Sequence, residues 1–189
     1  MCGMKKDNRG FSLLEILVVI AIIGVLGVLI MPNLQRSTPR YERQEFIARF
    51  NTLLQYAWQH ALVTHTTQQI SVDVGKKMIT LLTESEEKDK SGEMAFKPIA
   101  DAVRDTTCPI PDQFTIKQFF IEGFDMMAKF SRRKAASVWF YIIPDGMVQD
   151  VIINFIDTKD MQDNKPLQIG LVINPFTAQF KEYDAFQKP

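Results

Sequence analysis

Lys5-Lys6-Asp7-Asn8-Arg9-Gly10-Phe11-Ser12-Leu13-Leu14-Glu15 leads into an unbroken apolar run, Ile16 to Met31, that stops at Pro32. A basic head, a glycine–phenylalanine junction, one acid and a long apolar stretch follow in that order. From Phe11 to Met31 is 21 residues. As a helix these span about 31 Å, the thickness of a bilayer's hydrocarbon core. The basic head keeps residues 1–10 in the cytoplasm and sends the rest across. An ordinary cleaved secretory signal fits poorly, because the run is long and ends Leu29-Ile30-Met31-Pro32 without a small-x-small site. A plain membrane anchor fits the apolar run but leaves Glu15 unexplained. A carboxylate in an apolar helix costs on the order of 2.5–3.5 kcal/mol at the bilayer centre. No Lys, Arg or His follows Glu15 until Arg36. Its partner therefore lies on another chain or is made by processing. Cleavage between Gly10 and Phe11 would create an α-amino group four residues from Glu15, and such an ion pair is strong at low dielectric.

These residues closely resemble the class III signal of type IV pilins and of type II secretion pseudopilins. The resemblance implies a prepilin peptidase that cuts after Gly10 and methylates the new N-terminal Phe11. It implies that Glu15 registers subunits in a filament, and that Pro32 is the helix-kinking proline at the end of the anchor. The expected organisation is a leader over residues 1–10, a transmembrane and filament-core helix over 11–31, and a periplasmic part over 32–189.

Working outward, Gly24 and Gly27 permit close helix approach within the run. Thr38-Pro39 reads as an N-cap and first-turn proline, so a break near Ser37 and a fresh helix are expected. From Tyr41 to Thr64, Phe46, Phe50, Leu53, Leu54, Ala57, Trp58, Ala61 and Leu62 recur at spacings of three and four. Arg43, Gln44, Arg49, Gln55 and Gln59 fall between them, on the polar face. The apolar stripe, Trp58 included, reads as core. Strands are predicted at Gln69–Val74, Lys77–Leu82, Phe114–Ile121, Ser137–Ile143, Gln149–Ile156, Leu167–Ile173 and Ala178–Tyr183. Gly75-Lys76, Pro144-Asp145-Gly146 and Asn174-Pro175-Phe176-Thr177 are turns, and Glu84 to Glu93 reads as a solvated loop. The fold class is α+β: a long N-terminal helix, transmembrane then amphipathic, packed on an antiparallel sheet, as in pilins.

Two of those turns carry a second resemblance. Trp139-Phe140-Tyr141-Ile142-Ile143-Pro144-Asp145-Gly146 is similar to the strand and turn of the minor pseudopilin H group, the GspH/FimT family. Ile173 to Phe180 resembles that group's closing hairpin, with Asn174 where Asp is usual and Ala178 where Gly is usual.

The totals exclude several classes. Lys+Arg is 22 and Asp+Glu is 22. The first ten residues hold Lys5, Lys6 and Arg9 against Asp7, or +2, so residues 11–189 sum to −2. That balance argues against nucleic-acid binding, which needs clustered cations. Cys2 lies in the leader, which leaves Cys108 as a small, partly buried thiol. His60 and His65 are five apart and point about 140° apart on a helix, so they share no metal. No phosphate loop, paired-cysteine motif or Gly-x-Ser-x-Gly elbow occurs. Glu86 to Glu93 lacks calcium-loop spacing. No catalytic residue, metal or cofactor is expected.

The resemblance implies a minor pseudopilin of type II secretion, built into a periplasmic filament by a cytoplasmic ATPase and an inner-membrane assembly platform. Its partners would be prepilin peptidase, other major and minor pseudopilins and membrane lipid. Its place would be the inner membrane, single-pass, with the C-terminal domain periplasmic. The alternatives are a minor pilin of a type IV pilus, for assembly or DNA uptake, and an unprocessed membrane-anchored periplasmic enzyme or receptor.

Overall fold

The computed structural model describes residues 13–88, 92, 94–99, 102, 104–130, 137–162 and 164–189, and no side chains within 26–38 or at 129–130. The chain divides into two compact units between Arg40 and Tyr41. One helix, α1 (Leu13–Thr64), is assigned without interruption through Pro32 and Pro39, so the two helices expected on either side of Ser37 are one element. A proline removes one hydrogen bond and costs about 3 kcal/mol, which tends to bend a helix rather than end it when both flanks favour helix. The helix ends at His65, whose φ of 54° lies in the left-handed region typical of C-terminal caps.

The second unit continues with β1 (Gln68–Asp73), β2 (Met78–Lys88), β3 (Met94–Pro98), β4 (Thr107–Pro109), β5 (Phe114–Ile121) and β6 (Phe124–Asp125). A short α2 (Met126–Phe130) precedes β7 (Ser137–Ile142), β8 (Val151–Gln162), β9 (Lys165–Asn174) and β10 (Gln179–Tyr183). The strands form two antiparallel five-stranded sheets. The first has the order β3-β2-β1-β7 with β4 beside β2; the second runs β10-β9-β8-β5-β6. The chain crosses between them after Pro144-Asp145-Gly146. The turn begins as a hairpin, with Ile143 N–H donating to the Met147 carbonyl at 2.9 Å and an isolated bridge Ile142–Val148. Then β8 departs for the other sheet, because Val151, Ile153 and Phe155 belong to its inner face.

One core joins both sheets and α1. Phe46 and Phe50 of the helix meet the second sheet through Phe114, Phe155 and Phe180, with ring centroids 5.3, 6.4 and 4.9 Å apart. Phe119 and Phe140 link the two sheets at 6.4 Å. The inner face of β1 and β2 is Ile70, Val72, Ile79 and Leu81, at period two. The stretch read as a solvated loop from Glu84 is strand as far as Lys88, paired with β3. Strand pairing uses only backbone groups, so Glu86 and Glu87 stay exposed while the ladder runs on.

β8 is buried on both faces from Val151 to Phe155. Its outward Asn154 is fully buried and grips the C-terminal tail. Its Nδ2 donates to the Gln187 carbonyl at 2.8 Å and its Oδ1 accepts Gln187 N–H at 2.9 Å. Gly170 on β9 makes room for that tail: a Cβ there would lie 2.6 Å from the Ala185 carbonyl.

Candidate functional site

Two arrangements stand out, one in each unit. In the first, Glu15 sits in the first turn of α1, where the helix dipole favours an anion. Around it the helix is apolar on every side. Ten large apolar side chains between Leu13 and Val25 are exposed, from Val18 at 46% to Leu13 at 83%. At about 1.5–3 kcal/mol for a fully exposed side chain removed from water, and scaled for their partial exposure, the combined drive is roughly 10–20 kcal/mol. A helix apolar all round belongs in lipid or in a packed helix core. Its single carboxylate would then meet its counter-charge in a low-dielectric setting, where ion pairs are strongest. Among the described residues no helix is long and apolar enough to cross a membrane. Gly10 and Phe11, the expected cleavage and methylation positions, lie outside the described residues. Pro32 lies within α1.

In the second unit a polar stripe of α1 holds the sheets. The spacing puts Arg43 on the polar face, yet it is only 6% exposed. Its guanidinium lies 2.6 Å from Asp160 Oδ2 and 2.8 Å from Glu182 Oε1, and 3.8 Å from Asp157 Oδ2. Lys159 Nζ adds a contact to Glu42 at 3.2 Å. Burial works against the charge on Arg43, but Asp160 and Glu182 outweigh it, and its pKa is raised. Asp157 is fully buried. Burial pushes its carboxyl up, opposed by the N–H groups of Lys159 and Asp160 and by Arg43. Its Oδ1 accepts those two N–H groups at 3.0 and 3.2 Å, whereas Oδ2 has no hydrogen-bond partner.

Further along, Asn51, Gln55 and Trp58 stand at i, i+4 and i+7, one stripe of the helix. Each side chain binds main chain. Asn51 exchanges two hydrogen bonds with Phe180, 2.8 and 3.2 Å long. Gln55 Nε2 donates to the carbonyls of Thr177 and Ala178. Trp58 Nε1 donates to the Gly146 carbonyl at 2.7 Å. Spacing alone could not separate these residues from a solvated face or a plain core, because their partners lie far off in sequence. The two departures from the hairpin pattern are accommodated: Asn174 Oδ1 accepts Phe176 N–H at 3.0 Å, and Ala178 adopts φ 50° in the left-handed region.

The remaining sequence candidates do not converge. His60 bonds near Thr64, while His65 is exposed. Cys108 is buried, and burial raises its thiol to about 11. Among the described residues no group of His, Cys, Asp and Glu is placed to hold a metal.

Residues 5–31 match the family described as the prokaryotic N-terminal methylation motif. No curated protein matches the chain by sequence. Two solved structures of the minor pseudopilin EpsH from the type II secretion system of Vibrio cholerae are similar in fold. One aligns with a TM-score of 0.50 at 12% identity, over 82% of this chain and 98% of that one. The other aligns with a TM-score of 0.48 at 10% identity, over 77% and 95%. At 12% identity the likeness is one of fold: a helix followed by antiparallel sheets, the pilin-like α+β arrangement.

Proposed function

We propose that this chain is a minor pseudopilin of a type II secretion system, a structural filament subunit rather than an enzyme. One observation carries the reading: an all-round apolar helix with a single acid in its first turn, joined to an α+β unit. The methylation-motif match over residues 5–31 and the fold likeness to EpsH support it. In this reading prepilin peptidase cuts between Gly10 and Phe11 and methylates Phe11. The freed amine of one subunit pairs with Glu15 of a neighbour and sets the stagger between them. Pro32 bends the helix where it leaves the apolar core, and residues 32–189 face the periplasm. Other major and minor pseudopilins, the inner-membrane assembly platform and membrane lipid are the partners.

The intact mass of the membrane-extracted protein tests this. Loss of residues 1–10 with one added methyl group is expected. A chain that keeps its basic head throughout would count against the filament reading and favour a plain anchor. Glu15→Ala is expected to be processed normally but poorly incorporated into filaments.

A further inference from the structure

The first sheet turns Ile70, Val72, Ile79 and Leu81 to the core and its other face outward. Residues paired across strands share a face. The register therefore sets Trp139 of β7, Ser71 of β1, Thr80 of β2 and Thr107 of β4 in one outward row. Four strands about 4.8 Å apart give that row a length of about 14 Å. Between its ends the floor is small and hydroxylated. Trp139 is 48% exposed, Thr107 is exposed, and Ser71 and Thr80 are half-buried. Tyr141 and Phe96 come from strands at opposite sides of the sheet, yet their rings meet beside the row with centroids 5.5 Å apart. Gln69 Nε2 lies 3.4 Å from the Tyr141 hydroxyl and steadies that ring. Trp139 Nε1 and the hydroxyls of Ser71, Thr80 and Thr107 have no hydrogen-bond partner among the described residues. The acids nearest the row are already engaged: Asp73 accepts Lys76 N–H at 2.8 Å, and Glu84 accepts Thr67 N–H at 3.1 Å.

We propose that this ring-bordered row binds an uncharged, extended glycan. A pyranose has C–H faces that stack on aromatic rings and a rim of hydroxyl groups that both donate and accept. Trp139 and Tyr141 supply the rings. Ser71, Thr80, Thr107 and the Trp139 indole N–H supply neutral partners for the rim. Other occupants fit worse. Nucleic acid needs clustered cations, and the row carries no charge. An apolar protein surface would cover the three hydroxyls and strip them of their bonds to water without replacing them. The outward face of the second sheet is built differently, since Asn154 and Gly170 there seat the chain's own tail. The inference goes beyond the filament reading and stands independently of it.

The test titrates the full chain, in a sugar-free detergent, with cellotetraose and with chitotetraose, and follows the chemical shift of the Trp139 indole N–H. A saturable shift with either sugar is expected, with little change at Trp58, whose N–H is held by the Gly146 carbonyl. Trp139→Ala should weaken binding about tenfold, read at the Ser71 amide, and Trp139→Phe about threefold, because a ring remains. Thr80→Val keeps the shape and the strand preference but loses the hydroxyl, and should weaken binding about fivefold. That variant carries the test if replacing Trp139 prevents folding. No saturable shift with either sugar would overturn the proposal, as would an affinity unmoved by Trp139→Ala and Thr80→Val. Shifts at Trp139 produced by host proteins stripped of glycans, and by neither sugar, would assign the face to a protein and overturn it too.

Discussion

Arg43→Met removes the cation from the junction of α1 with β8 and β10, and its cost can be worked from the three carboxylates it leaves. Asp160 and Glu182 keep 30% and 27% of their side-chain exposure, so solvent takes up much of their loss. Asp157 has none. Removing one partner of a buried pair costs about 3–5 kcal/mol, because the other charge is stranded. Methionine still fills the space of the arginine stem, which favours the lower end, about 3 kcal/mol. For a unit of this size each kcal/mol moves the midpoint by about 2–4 °C, so Tm should fall by about 6–12 °C. Thermal unfolding of the full chain in detergent, followed by circular dichroism, reads this directly. Arg43→Lys should fall between, since it keeps the charge and loses the fork. Adding Asp157→Asn to Arg43→Met should return part of the loss, because the stranded charge is gone. A loss under about 1 kcal/mol would refute the reasoning, for that is the scale of a surface pair. So would a double variant less stable than Arg43→Met alone.

Asp157 also sets a pH dependence. Its carboxyl is raised from 3.8 by burial, so the folded chain holds that proton more tightly than the unfolded chain. Its contribution is full below 3.8 and is lost as pH rises through the folded pKa. Stability of Asp157→Asn relative to the parent should therefore climb over that window in denaturant titrations; a flat or falling difference contradicts the assignment. Trp58→Phe leaves the Gly146 carbonyl without its 2.7 Å donor and should cost about 1–3 kcal/mol by urea unfolding. Gly170→Ala should loosen the tail, since the added Cβ meets the Ala185 carbonyl at 2.6 Å; faster amide exchange at Gln187 is the readout, and unchanged protection counts against the fit. Cys108, buried with its thiol raised to about 11, should resist an aromatic disulfide reagent at neutral pH until the chain is denatured.

Much of this was legible because it is local and periodic. The apolar stripe from Phe46 to Leu62 contains the buried Phe46, Phe50, Leu53, Leu54, Ala57 and Ala61. The strand read at Phe114–Ile121 has those same limits in the structure. What escaped depends on partners distant in sequence. The split into two sheets is invisible in the Pro-Asp-Gly turn, which looks like a hairpin and begins as one. β3 and β4 are short edge strands beside β2, with little alternation to betray them. Arg43 reads as a surface charge until Asp157, over a hundred residues later, is seen to close on it.

That long-range pairing bears on how the chain divides its chemistry. The apolar residues from Leu13 to Val25 give any association its strength, but apolar burial has no preferred register. Register needs a directional contact, which in the proposed filament Glu15 would supply. Within the second unit, shape-filling Phe46 and Phe50 share α1 with Arg43, Asn51, Gln55 and Trp58, each bound to a fixed polar atom. Packing alone would leave the helix free to slide by a turn over a bed of phenylalanines. The polar stripe permits one position, because any shift strands Asp157 and the carbonyls of Gly146 and Phe180 together. A variant with Asn51, Gln55 and Trp58 all made apolar should therefore remain collapsed but lose its single set of sharp resonances. A spectrum as well dispersed as the parent's would show that packing alone fixes the helix.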